Sequence, residues 1–395
     1  SVLCYACSMR KIVLWILVLL IPTQLGMHFW PEFSNVLGFK IDYLSPTIYL
    51  TDLILILFTF LSWKKQTLNP LFLSLVFINT LFSTQPLLSI FFWSKISLYL
   101  LLLTSLLKTP KLKSIVYPPL LVSTVIVILI QLTQLFLQRS IGGPLYLLGE
   151  RTFNFYTSNI AKLNIGSLGV ILRPYSIFSH PNSLAGYLLL SLVIFRSYPQ
   201  TKYLKLVKSF VSLAIILTFS KIAILTLILL EIKNIKILKK IIWTSLLIGF
   251  LPLFVVFTNI NYVSNDSFLT RAFMGYPTLE IIKSNLVTGT GLRAFIPSLS
   301  KQIPPSYLSL SSLQPVHSLP LLILAELGIL GTTLLIMIVK KVKTKNLLLI
   351  QTLLVVVLTG SVDHYWWTLP QNQLILIIAL ALSLKNKNES KSKNK

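Results

Sequence analysis

The chain has 395 residues, of which 54% are hydrophobic and 11% charged, and its formal net charge is +25. Soluble domains carry roughly a quarter charged residues, so this composition excludes a globule covered by water. Nucleic acid is not an expected partner either, because the excess Lys and Arg follow the ends of apolar segments instead of forming a patch.

Repeated apolar runs with short polar punctuation predict an all-α, polytopic membrane bundle of about twelve spans. A membrane barrel would alternate in polarity over strands of about ten residues, and these runs do not. In chain order the spans are expected at about 12–29, 47–63, 69–83, 87–107, 115–137, 183–196, 204–219, 222–232, 241–258, 318–339, 346–361 and 372–384. "LTFSKIAIL", between the seventh and eighth, reads as a kinked or re-entrant passage. Residues 1–395 form one integral membrane domain on this reading, with longer loops at 138–182 and 259–317. The Lys/Asn/Ser tail 385–395 reads as disordered and basic. Met9-Arg10-Lys11 before the first run resembles a natural start, and that run is expected to be a retained span. Cys4 and Cys7 form a lone C-x-x-C with no second pair, so no metal or cofactor is expected.

Basic clusters sit at Arg10-Lys11, Lys64-Lys65, Lys108–Lys113, Arg196–Lys208, Lys233–Lys240, Lys340–Lys345 and the tail. They fall at every second connection, the positive-inside pattern. Both termini are therefore expected in the cytoplasm, and the loops 138–182, 259–317 and 360–373 outside. All four histidines (His28, His180, His317 and His364) then face outward, as do Arg139, Arg151, Arg173, Arg271 and Arg293. Any chemistry is expected on that side.

"GTGLRA" (289–294) matches a dinucleotide fingerprint, but no βαβ pattern surrounds it. A turn carrying Arg293 is the better reading. No P-loop, no D-x-D pair and no paired carboxylates are present. Arg173, Lys221, Arg271 and Arg293 lie near outer helix ends. Singly, each could anchor to lipid phosphates. As a set they suit a diphosphate, since guanidinium forks bind phosphate oxygens bidentately. His317 opens a span after the largest loop and is either a cap or a general base. Glu326, nine residues on, lies on the opposite helical face (about 900°) and is expected to be a structural partner between helices. Lys95 within a span needs a partner that the sequence does not name. Asp363-His364, followed by Tyr365, Trp366 and Trp367, is either an interfacial belt or part of a site. His180, Asn182 and Trp366 are further candidates for substrate contact.

These motifs together resemble the O-antigen ligase and O-antigen polymerase superfamily of multi-span, metal-independent glycosyltransferases. "RPYSIFSHPNSLAGY" (173–187) is similar to the family's arginine-led segment before a span. "LTFSKIAIL" is similar to its threonine–x–serine–arginine turn, "RAFMGYPTLEIIKSNLVTGTGLRAF" to its outer-loop arginine helix and glycine turn, and "HSLPLLILAELGILG" to its histidine segment. The likeness covers about residues 165–380; the first five spans match only in hydropathy. It implies a GT-C-like bundle whose donor is a glycan on undecaprenyl diphosphate. Arg173, Lys221 and Arg271 would hold the diphosphate, and His317 would activate the acceptor hydroxyl. Two departures stand out: Lys221 replaces an arginine, and Ser318 replaces the asparagine after the histidine.

The expected function is an inverting, metal-independent glycosyl transfer at the outer face of the plasma membrane. The acceptor would be a lipid, a wall polymer or a protein. A polysaccharide polymerase is the alternative within the same chemistry, and a lipid-linked glycan flippase or exporter is the alternative outside it. Transporters place substrate sites near the bilayer midplane, often between repeats, and no repeat is visible here.

Overall fold

In hydrocarbon a backbone must satisfy its own polar groups, and apolar runs do so as helices. The computed structural model describes residues 2–62, 68–199, 201–255, 274–304, 309–310, 312–340 and 346–392. Over these it is mostly helical. The helices are α1 (Val2–Leu20), α2 (Leu50–Leu61), α3 (Pro70–Leu81), α4 (Pro86–Lys108), α5 (Leu112–Leu137), the single turn α6 (Pro144–Leu147) and α7 (Pro181–Arg196). There follow α8 (Lys202–Ile216), α9 (Lys221–Leu229), α10 (Ile235–Ile248), α11 (Leu251–Val255), α12 (Gly275–Ser284) and α13 (Phe295–Leu299). The chain then runs through α14 (Leu319–Lys340), α15 (Leu347–Gly360), α16 (Tyr365–Thr368) and α17 (Pro370–Ser392).

Three helices are long and apolar enough to cross a bilayer: Pro86–Lys108, Leu112–Leu137 and Leu319–Val339. Five shorter apolar helices accompany them, α2, α3, α7, α15 and the stretch Pro370–Lys385. The expected count of twelve spans goes beyond what these lengths establish. The first expected span, 12–29, ends early: α1 stops at Leu20 and Gly26–His28 is already a strand. The passage at 217–220 does break the run, with Phe219 at φ 54 between α8 and α9.

The centre of the bundle is α7. Residues 181–195 are buried throughout, and the helix packs against α5, α8, α9, α15 and α17. α17 in turn lies against α4 and α15. Large apolar side chains such as Phe60, Phe77, Phe136 and Leu247 face outward, as suits helices bathed in lipid.

Three two-stranded antiparallel sheets stand apart from the helices in the chain order. β1 (Gly26–His28) pairs with β4 (Thr47–Tyr49), β2 (Asn35–Val36) with β3 (Phe39–Lys40), and β5 (Lys162–Asn164) with β6 (Val170–Leu172). Gln134 of α5 secures the segment after β6: its Oε1 accepts from the Tyr175 and Ser176 amides, and its Nε2 donates to Ser176 O. A polar group buried beside hydrocarbon needs such saturation.

α14 is not one regular helix. Gly328 sits at φ 63, ψ −174, which breaks the hydrogen-bond ladder. The loop 285–291 enters the gap and restores the lost bonds. Ile329 N and Leu330 N donate to Leu286 O and Val287 O, while Thr290 N and Gly291 N donate to Ala325 O and Glu326 O. Gly289 (φ 73) faces Gly328 so closely that a Cβ on either would lie within 2.5 Å of the other's backbone. Gly289 of "GTGLRA" therefore serves backbone-to-backbone packing, and Gly291 makes room for the Ser83 and Ser89 side chains. Asn79 of α3 locks the seam with all four of its hydrogen bonds. Its Nδ2 donates to Glu326 O (2.8 Å) and Thr288 O (3.3 Å), and its Oδ1 accepts from Leu292 N and Trp93 Nε1 (2.9 Å each).

Candidate active site

A cavity of about 1730 Å³ opens between the β1–β4 region and the helices α4, α16 and α17. All four histidines line it, together with the cations Lys40, Lys95, Arg151 and Arg293. The sequence places these groups in five separate segments, and the fold brings them around one cavity.

His317 precedes α14. Its neighbour Ser318 is fully buried, donates its hydroxyl to Gly249 O at 2.6 Å and turns no polar group to the cavity. The serine thus anchors the start of α14 and fixes where His317 emerges. His317 Nδ1 lies 3.7 Å from Asp363 Oδ1 and has no closer polar partner. The His317 and His364 rings are 5.2 Å apart.

Asp363 is buried and held from two sides. Its Oδ1 accepts from His364 N at 2.8 Å and its Oδ2 from Asn182 Nδ2 at 2.9 Å. Burial opposes its charged form, but His317, His364 and His180 outweigh that and hold the carboxyl well below the usual range. Burial pushes the His364 imidazole down to about 3, against the pull of Asp363 and with help from His317 and Arg293. His364 is therefore neutral at working pH, with Nδ1 paired to Thr368 Oγ1 at 2.9 Å. Tyr43 meets the His364 ring edge-on at 5.5 Å. Burial, and then the Asp363 charge, push its hydroxyl up to about 12.

Asn182 reaches Asp363 because α7 begins there. His180 is the N-cap, accepting from Asn182 N through Nδ1 at 3.1 Å, and Pro181 occupies the first turn. One turn on, Gly186 leaves room for the Tyr365 ring, which a Cβ would meet at 2.6 Å. That close approach seats residues 363–365 against the head of α7.

The cations divide. Arg173 is not among the residues lining the cavity. Its Nε donates to Thr218 O and its Nη2 to Asn182 Oδ1, both at 2.9 Å, so it stands behind Asn182. Lys221 is exposed at the start of α9, away from the lining. Arg271 lies outside the described residues. Arg293 is buried on the cavity wall at φ 66, donates to Thr368 O at 2.7 Å and covers the Phe92 ring at 4.6 Å.

Glu326 is buried in α14 and accepts from Trp367 Nε1 at 2.7 Å. Trp367 lines the cavity, whereas Trp366 is turned into the core and donates to Thr359 Oγ1. Lys95 pairs with Asp52 of α2 at 2.8 Å. Sequence reasoning did not find Lys40, Tyr43, Tyr49 or Arg151 as lining groups. The one available signal was the concentration of aromatic residues and His28 between the first two apolar runs.

His317, Asp363 and His364 bring one ligand atom each within 4.8 Å of one another. Two imidazoles and a carboxylate could hold a transition metal. They equally form a base, its orienting carboxylate and a neutral imidazole beside them.

Residues 182–336 match the family model described as O-antigen ligase. No curated protein and no solved structure matches the chain. The matched stretch begins at Asn182 and includes Lys221, Arg271, Arg293, His317 and Glu326, while Arg173, Asp363 and His364 lie outside it. That match supports an O-antigen ligase-like family for this chain.

Proposed function

We propose that this chain is an inverting, metal-independent glycosyltransferase. It moves a glycan from a polyprenyl diphosphate to an acceptor hydroxyl at the outer face of the plasma membrane. The family implies a glycosyltransferase-like enzyme that meets a lipid-linked glycan and an acceptor. Both termini lie in the cytoplasm on this reading, as the basic clusters require.

The observation that carries the reading is His317 beside the ionised Asp363 in a large cavity lined with cations. The imidazole removes the acceptor hydroxyl proton, and the oxygen attacks the anomeric carbon from the face opposite the diphosphate. The anomeric C–O bond breaks and its electron pair leaves with the diphosphate. Asp363 stabilises the imidazolium that forms, in the manner of a carboxylate behind a catalytic histidine. Fixed cations, Arg293 among them, stabilise the growing charge on the leaving group. Arg173, through Asn182, sets the position of the carboxylate.

In membranes, His317→Ala should lower transfer at least about 100-fold while the protein stays folded. Activity like the wild type would reject His317 as the base. The same chemistry serves a polymerase. Glycan lengthening on the lipid carrier would assign that role, and glycan on a separate acceptor the ligase role.

A further inference from the structure

Lys95 lies nine residues into α4, so its backbone is about 13 Å along the helix from Pro86. Its side chain is 13% exposed, and it lines the cavity. An ammonium has three N–H donors. One of them meets Asp52 Oδ2 at 2.8 Å. The Tyr49 and Phe91 rings, with centroids 4.5 Å and 5.6 Å from Nζ, cover it further. Asp52 Oδ2 also accepts from Tyr49 N at 2.9 Å, while its Oδ1 is buried without a partner. Asp52 is therefore incompletely satisfied, while Lys95 itself lines the cavity.

Arg293 reaches the same stretch of α4. Its guanidinium covers Phe92, three residues before Lys95 and hence on the same helical face. The Arg293 charge acts on Lys95. Among the described residues no carboxylate oxygen lies within 4.0 Å of the Arg293 guanidinium, whose side-chain hydrogen bond goes to the Thr368 carbonyl. It holds this place in a left-handed backbone conformation, φ 66, which is rare for a side chain of its size. Lys95 and Arg293 thus both line the cavity, beside the same stretch of α4. Glu326 is the acid beside Arg293, but its carboxylate accepts from Trp367 and lies beyond 4.0 Å of the guanidinium, which leaves guanidinium donors for a ligand in the cavity.

We infer that Lys95 and Arg293 together grip the diphosphate of the lipid-linked donor, with Asp52 holding the ammonium toward the cavity. The inference rests on the transferase reading and moves the anion site from positions 173 and 221, which do not line the cavity, to a residue of α4 outside the matched stretch. Lys95 supplies a point charge for one phosphate, and Arg293 a fork for the other. α4 carries outward-facing apolar residues such as Leu87 and Ile90, so a lipid tail has hydrocarbon beside the site.

The test uses the full chain in phosphatidylcholine nanodiscs, titrated with a polyprenyl diphosphate and read by Trp fluorescence and native mass spectrometry. Lys95→Met should weaken binding at least about tenfold, the loss of one charge-assisted contact, and Lys95→Arg should restore most of it. Inorganic diphosphate should compete, and phosphatidylglycerol should not. Wild-type affinity in Lys95→Met, or displacement of the probe by phosphatidylglycerol at equal concentration, would overturn the inference; the second result would make these cations bulk-lipid contacts. Should Lys95→Met fail to assemble, the double variant Asp52→Asn/Lys95→Met removes both charges. Loss of affinity in a folded double variant supports the site, and retained affinity overturns it. In the transfer assay the donor KM should rise while the acceptor KM stays unchanged, a split that a merely structural role would not produce. Binding through Lys95 with no transfer by the wild type would sink the transferase reading and leave the site standing. Transfer with an unaltered donor KM in Lys95→Met would do the reverse.

Discussion

Asn182 Nδ2 donates to Asp363 Oδ2 at 2.9 Å across 181 residues of chain, and Arg173 donates to the same carboxamide from behind. The chain of contacts runs from the Thr218 carbonyl through Arg173, Asn182 and Asp363 to His317. Asn182→Ala would leave a buried carboxylate and a guanidinium each short of one bond. A stability loss of about 1.5–3 kcal/mol follows, with transfer reduced about 100-fold by misplacement of the carboxylate. Thermal melting in detergent and initial rates measure the two separately. Loss of stability at full specific activity would remove the positioning role.

Asp363→Asn keeps the shape of the side chain and removes its charge. Transfer should fall by about 10²–10⁴-fold, because the imidazolium formed at His317 loses its counter-charge. Protein level in the membrane should stay near that of the wild type. A drop of less than about threefold would separate Asp363 from the chemistry.

His317, Asp363 and His364 also form a metal donor set, so chelation discriminates between two chemistries. Dialysis against EDTA should leave transfer unchanged if His317 is a base. Lost activity that returns with zinc or manganese would replace that mechanism with a metal-dependent one.

Burial lowers the His364 pKa to about 3, against about 6.5 in an unfolded chain. Between those values the unfolded state binds more protons, so the contribution to stability is complete above about pH 6.5 and is lost as pH falls. His364→Gln should remove this slope. Melting temperatures at pH 7 and pH 5 should differ more for the wild type than for the variant. Equal differences would show that His364 does not titrate this way.

Gly328→Ala places a Cβ about 2.4 Å from Gly289 N and Val287 O, at φ 63. Backbone atoms cannot swing aside, so the destabilisation should exceed the roughly 1–3 kcal/mol of a strained backbone residue alone. A melting temperature within a degree or two of the wild type would contradict the tight seam.

Hydropathy made the helices legible, since apolar runs near the length of a span have few other options. It did not show where backbone order fails inside a run. The break at Gly328 is invisible because Leu and Ile continue on both sides of it, and what compensates it is a loop some forty residues earlier, together with Asn79. His180, His317, Asp363 and His364 were individually conspicuous as polar groups in an apolar chain, and the fold lines one cavity with them. Arg173 and Lys221 were equally conspicuous, yet charge alone does not say which way a helix end turns. Trp366 and Trp367 are adjacent, and only the packing of α16 decides which ring meets the cavity. Lys95 and Asp52 lie in different helices, so their pairing is a tertiary fact without a local signal.

The seam between residues 285–291 and the broken α14 also bears on biogenesis. A helix inserted with its ladder open at Gly328 would carry bare amides into lipid until residues 285–291 and Asn79 arrive. Release from the insertion machinery should therefore wait for a partnered unit in which α3, the loop and α14 have already met. A chain stalled before residue 340 would stay with that machinery, its earlier helices made and its last joint still unclosed.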